Sequence, residues 1–319
     1  MPTGNRQKYL PFLQGKYEVS PGLKPLDTGL GQSMTDQCIF QIGEDVSFFL
    51  QNKQACREEG IGKYYHTCRE DTQTIQAVNQ FIIRTLVQDY PEHFQPTSEE
   101  DSWVLRCALT GEVLRFSADY RLHDEGKYYS LFDALGCQVP EDLAVWQVED
   151  GTDWLAALHI CAPNYWSPEE KIGRNFYQFH APVPGLEGLR ERYFPMLQTI
   201  IRKGSFVRFT WGLTTDRRLN HHPEPPQNVG KTYWQGRSFD LQHPELYVRA
   251  ERQTLTGLRE VNAVLFTIRT YFTDVASLTH EELHALASAI RSMSPASLAY
   301  KGLDRRKDEI LDWLKGLRK

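Results

Sequence analysis

Five long runs of β-branched and aromatic residues crowd the middle third of the chain, and they constrain the fold more than any other feature. Leu143–Val148 and Trp154–Ile160 flank Asp150-Gly151, a pair suited to the positive φ values of a tight hairpin turn. Lys203-Gly204 leads into Ser205–Leu213, and Glu245–Leu255 and Ala263–Phe272 follow. Hairpin-like connections between such runs predict a five-stranded antiparallel sheet. Between its second and third strands, Leu189, Tyr193, Leu197 and Ile200 trace an apolar helix face, with Pro195 either kinking it or starting a new turn.

Helical patterns flank these strands. A helix is expected from Glu44 to about Cys56, and Ile75, Val78, Ile82 and Leu86 recur at helical spacing in a second that stops before Pro91. Trp103–Leu109 and Val113–Phe116 read as a hairpin across Thr110-Gly111, and a short helix around Tyr129–Leu135 ends at Gly136. After the sheet, Thr279 and Glu282 form a capping box ahead of Leu283, Leu286, Ile290 and Met293, and a last helix runs from about Asp304. The expected class is α+β, with flanking N- and C-terminal helices covering one face of a curved sheet. The chain divides into an extended arm (1–35), a helical region with a hairpin (36–138), the sheet core (139–275) and C-terminal helices (276–319).

Charge and motif content exclude several classes. The formal net charge is −5 with no basic tract, which argues against a nucleic-acid partner. No apolar run reaches a membrane span, and the first residues lack the pattern of a secretory leader. The six cysteines (38, 56, 68, 107, 137 and 161) are scattered without a Cys-x-x-Cys pair, so reduced thiols in the cytoplasm are expected and zinc or iron–sulfur sites are not. Dinucleotide, phosphate-loop and nucleophile-elbow motifs are missing as well.

The run from Cys161 to Gly185 places His180 just ahead of Ala-Pro-Val-Pro-Gly, where two prolines fix the backbone. A histidine anchored in this way suits an axial metal ligand or a base; the plain alternative is a loop-edge histidine satisfied by a carbonyl. Arg249 and Glu251 share one face of their strand and Arg252 takes the other, while Arg269 interrupts an apolar strand. A mid-sheet arginine needs an anionic partner, either an internal acid or the carboxylate or phosphate of a ligand. Trp211, Trp166 and Tyr165 are candidates for an apolar pocket wall, and Lys171 could reach a carboxylate. His159 precedes Cys161 by two residues on one strand face, and His221-His222 falls in a proline-rich loop expected to be solvated.

Taken together these segments resemble the α-subunit-like family of haem-dependent oxidative N-demethylases. The matching pieces are Gly22-Leu-Lys-Pro-Leu-Asp27, Pro140-Glu-Asp-Leu143, Cys161 through Gly173, His180-Ala-Pro-Val-Pro-Gly185, Arg249 through Leu255 and Ala263 through Tyr271, in the family's order. The resemblance implies a PAS-like haem-binding core at 139–275. It also implies monooxygenase-type oxidation of a small secondary amine to a primary amine and formaldehyde. Electrons would reach the haem iron from NADPH through flavin and iron–sulfur groups on separate reductase subunits. It makes His180 the leading axial ligand, with Cys161 and then His159 as rivals. Arg252, Arg269 and Lys171 become candidates for the haem propionates, Trp211 for the cofactor slot and Glu251 for holding a cationic amine. One departure stands out: Thr210-Trp211 replaces an Asn-Trp pair usual in the family. The alternative is a non-catalytic haem-binding sensor or carrier on the same core, and after it a scaffold without haem.

Overall fold

Asp150 and Gly151 both adopt positive φ (47° and 76°), so the strands on either side pair antiparallel through a tight turn. The computed structural model describes residues 8–28, 34–69, 71–99, 102–123, 126–236 and 238–317. Residues 1–7 and 29–33 of the expected arm, and the basic end 318–319, lie outside the described residues.

In chain order the strands are β1 (Lys24–Pro25), β2 (Tyr65–Thr67), β3 (Phe94–Glu99), β4 (Ser102–Cys107), β5 (Glu112–Ser117), β6 (Asp142–Glu149), β7 (Thr152–His159), β8 (Ser205–Thr214), β9 (Tyr247–Leu258) and β10 (Ala263–Asp274). The α-helices are α1 (Val46–Gly60), α2 (Thr72–Asp89), α3 (Leu131–Gly136), α4 (Pro168–Lys171), α5 (Phe176–His180), α6 (Tyr193–Lys203), α7 (Lys231–Trp234), α8 (His280–Ser292), α9 (Pro295–Tyr300) and α10 (Lys307–Gly316). Capping follows the sequence: Asp71 accepts from the Thr74 amide to start α2, and Thr279 with Glu282 forms the expected box before α8. Pro195 falls in the first turn of α6, where its missing N–H costs no intrahelical bond, so it helps to begin the helix rather than kink it.

One sheet has the order β1-β8-β9-β10-β6-β7-β2, with every neighbouring pair antiparallel. A second sheet is β3-β4-β5. The expected five strands are β6 to β10, but the sheet has seven. The additions, β1 and β2, are two and three residues long, too short to leave an alternating pattern in sequence. Similarly, β3 joins the predicted hairpin as a third strand.

Helices pack on both faces of the large sheet, where the sequence led us to expect one. On the first face Ala144, Trp146, Leu158, Leu255 and Phe266 meet Phe176 of α5 and Leu197 and Ile200 of α6. On the reverse face Val145, Ala157 and Leu265 meet Ile82 and Leu86 of α2 and Leu131 and Leu135 of α3. Trp211 and Val248 meet Leu286 and Ile290 of α8 there as well. Contact with α6 is so close at Gly257 that an added Cβ would stand 2.3 Å from the Ile200 carbonyl oxygen. Among the described residues no helix is long and apolar enough to cross a membrane.

Candidate functional site

The crossover from β7 to β8 carries α4 to α6 over the first face, and it fixes His180 from several directions. Asn175 and Gln178 cap α5 reciprocally, which sets the start of that short helix. At its end, His180 Nδ1 lies 2.8 Å from the Phe176 carbonyl. A carbonyl only accepts, so Nδ1 carries the proton. Burial lowers the His180 pKa to about 4, which keeps the ring neutral. The Nε2 lone pair is therefore available, and Nε2 has no hydrogen-bond partner among the described residues. Phe176 and Phe179 flank the ring at centroid distances of 4.3 and 4.8 Å, and Trp146 and Trp166 stand edge-on behind Phe179. The Lys171 ammonium donates to the Phe179 carbonyl at 2.9 Å, beside His180.

Strand register adds the polar half of the same face. Arg208, Thr210 and Gly212 of β8 pair with Gln253, Glu251 and Arg249 of β9. The Glu251 carboxylate accepts from Thr210 Oγ1 at 3.2 Å and from Gln253 Nε2 at 3.1 Å, and Arg249 Nε lies 3.9 Å away. Arg208 donates to the Ser20 carbonyl at 3.3 Å, but its buried Nε has no partner. Burial lowers the Arg208 pKa to about 10 against the pull of Glu251. Lys301, just past α9, lies over Gly212, its Nζ 3.9 Å from where a Cβ would be. Its pKa is lowered by burial, with Glu251 pulling the other way. Asp142 and Asp216 act on Arg249 as well, which leaves Arg208 and Lys301, two cations, with Glu251 as their one acid among the described residues. Such a site has spare capacity for an anion.

The structure thereby brings together His180, Lys171, Glu251 and Trp166 from the sequence-derived candidates. It puts the others elsewhere. Arg252 and Arg269 lie on the reverse face, directly opposite one another across β9 and β10. Arg252 donates to the carbonyls of Asp36, Cys38 and Ile39. Arg269 donates to the Gln41 carbonyl and to Asp45, with Glu141 3.7 Å away. Both arginines fasten the 36–45 segment to the sheet. Trp211 is on the reverse face too, edge-on to Phe12 and Tyr17.

His159 is fully buried under α3, and Cys161 is buried beside Cys56, Ile61 and Tyr64. Asp133, Cys137 and Cys161 surround the His159 ring, and a Cβ on Gly136 would come within 2.7 Å of it. His221 and His222 are buried rather than solvated, because each has polar partners. His221 bridges Asp216 and Arg249, Tyr165 stacks on it, and His222 pairs with Glu169. Arg208 was missed in sequence although it alternates with Thr210 and Gly212 on β8, a period-2 signal that was there to use. Lys301 left no such signal, since only the packing of α9 brings it to the sheet.

A neutral imidazole nitrogen, an aromatic wall and several basic groups thus share one sheet face of this α+β protein. A family model described as haem-dependent oxidative N-demethylase, alpha subunit-like, matches residues 31–311, and the chain belongs to that family.

Proposed function

We propose that the chain is the haem-binding subunit of an oxidative N-demethylase acting on a small secondary amine, with residues 139–275 as a PAS-like core. The observation that carries this reading is His180, a neutral histidine whose Nδ1 is held by a carbonyl and whose Nε2 is unpartnered. Metal-bound histidines are oriented in this way. Support for the PAS-like core comes from the spatial order of β6 to β10: second, first, fifth, fourth, third, with helices in the crossover between second and third.

The residues present fit a haem. His180 would hold the iron, Phe176, Phe179 and Trp166 would line the slot, and Arg208, Lys301 and Lys171 would face the propionates. Arg208, whose guanidinium makes one hydrogen bond among the described residues, to the Ser20 carbonyl, has donors to spare for an anion. When bound, haem supplies the oxygen activation and electron acceptance that amino-acid side chains lack. Glu251, fixed by Thr210 and Gln253, would accept hydrogen bonds from the substrate ammonium and hold its N-methyl group in place. Electrons would come from NADPH through flavin and iron–sulfur groups on reductase subunits, in keeping with a family named for one subunit of an assembly. Six free cysteines support a reducing, cytoplasmic setting.

Absorption spectra of protein expressed with a haem precursor test this reading, taken in ferric, ferrous and ferrous–CO forms for wild type and His180→Ala. A Soret band that shifts with CO, and is lost or altered in the variant, is expected. A Soret band indifferent to CO would instead favour a sensor or carrier. No haem after loading would sink both.

A further inference from the structure

Asp133 and Cys137 are one helical turn apart on and just beyond α3, and β7 brings His159 to them from the sheet. His159 Nε2 lies 3.3 Å from Asp133 Oδ1 and 3.5 Å from Cys137 Sγ, and those two are 4.0 Å apart. A tetrahedral zinc ion, with bonds of about 2.3 Å to sulfur and about 2.0 Å to nitrogen or oxygen, separates its ligands by roughly 3.3 to 3.6 Å. The three donor atoms are already close to that spacing, and they form a set within 4.8 Å of one another. We propose that Asp133, Cys137 and His159 bind a zinc-class divalent ion that ties α3 to β7, apart from the haem reading and independent of it.

The surroundings support the assignment. Asp133 Oδ2 accepts from the Tyr129 amide at 2.9 Å and Arg57 Nη1 stands 3.2 Å from both carboxylate oxygens, so Oδ1, the oxygen beside His159, is the candidate ligand. On the far side of the ring, Nδ1 faces Cys161 Sγ at 3.9 Å, an outer-layer contact that fixes the ring's orientation. The tight approach of Gly136 removes the room in which the imidazole could swing away. Arg57 reaches Asp133 at 3.2 Å and Lys53 is buried nearby, so a change in charge at this point would be felt. Binding displaces whatever protons the donor atoms carry, so uptake of the ion is coupled to proton release. Mixed sulfur, nitrogen and oxygen donors select a borderline ion over magnesium or calcium. The sequence held no Cys-x-x-Cys pair because the ligands come from a helix end and a distant strand.

Cobalt titration of the reduced, metal-stripped full-length protein tests the site without reference to haem. About one equivalent of Co(II) should give strong tetrahedral d–d bands with a thiolate charge-transfer band, both removed by zinc. Cys137→Ser should lose the charge-transfer band and bind zinc about tenfold more weakly or worse, with circular dichroism confirming the fold. If that variant does not fold, X-ray absorption of the zinc-loaded wild type decides: one sulfur and a histidine in the first shell support the site. A weak octahedral cobalt spectrum, no stoichiometric binding, a charge-transfer band unchanged in Cys137→Ser or a sulfur-free zinc shell would overturn it.

Discussion

Thr210 and Glu251 stand opposite each other across β8 and β9, and the threonine hydroxyl donates to the carboxylate at 3.2 Å. Thr210 thus serves to orient an acid. Glu251→Gln keeps the volume and removes the charge on which an ammonium would depend. Charged hydrogen bonds contribute about 1.5–3 kcal/mol, so formaldehyde release per unit of amine should fall roughly 10- to 100-fold in kcat/KM, with the Soret band unchanged. Unchanged turnover would remove Glu251 from the substrate site.

Among the described residues the Arg208 guanidinium makes one hydrogen bond, to the Ser20 carbonyl, and has a buried Nε without a partner. Arg208→Leu should fold, since a buried cation short of partners is replaced by an apolar side chain. The variant should retain haem less well, by about tenfold in dissociation constant, measured by transfer of haem to a competing globin.

Stability should depend on pH through His180. Its folded pKa is near 4, against about 6.5 for an unfolded histidine. Between those values the unfolded chain takes up a proton that the folded one refuses, so stability falls as pH drops from about 6.5 towards 4 and is complete above that window. The loss approaches roughly 3 kcal/mol in haem-free protein. Urea titrations across this range should show a shallower slope for His180→Gln; an identical slope would exclude His180 as the source.

Arg269→Met should destabilise the protein by about 3–5 kcal/mol, because it leaves Glu141 buried without its countercharge. Glu141 already has its pKa raised by burial, so the deficit should shrink in acid, where that carboxyl protonates. Urea midpoints at neutral and acid pH measure both effects.

Gly257→Ala should cost about 3 kcal/mol or more, since its new Cβ would meet backbone of α6 at 2.3 and 2.4 Å. Thermal melts give the number, and weakened haem retention would follow if α6 moves off the face that carries His180.

The five long strands were legible because each is long enough for its composition to show, and the hairpin because Asp150-Gly151 has few other uses. The edge strands were not, being two and three residues long, too short for a repeated alternation to show. Within the site, strand period separated Glu251 from Arg252 correctly, but it could not tell which face would be covered by α5 and which by the 36–45 segment. That is why Arg252, Arg269 and Trp211 were grouped with His180 although the sheet lies between them. Lys301 depended on packing alone.

The fastening of Arg252 has a consequence for how the two sides of the sheet respond to their surroundings. Its partners are main-chain carbonyls, which do not titrate at all. Acid therefore finds no handle on that attachment. The opposite side has one in the buried, neutral His180 imidazole, which acid can protonate. A shift towards low pH should therefore be felt at the His180 face while the Arg252 attachment behind it holds.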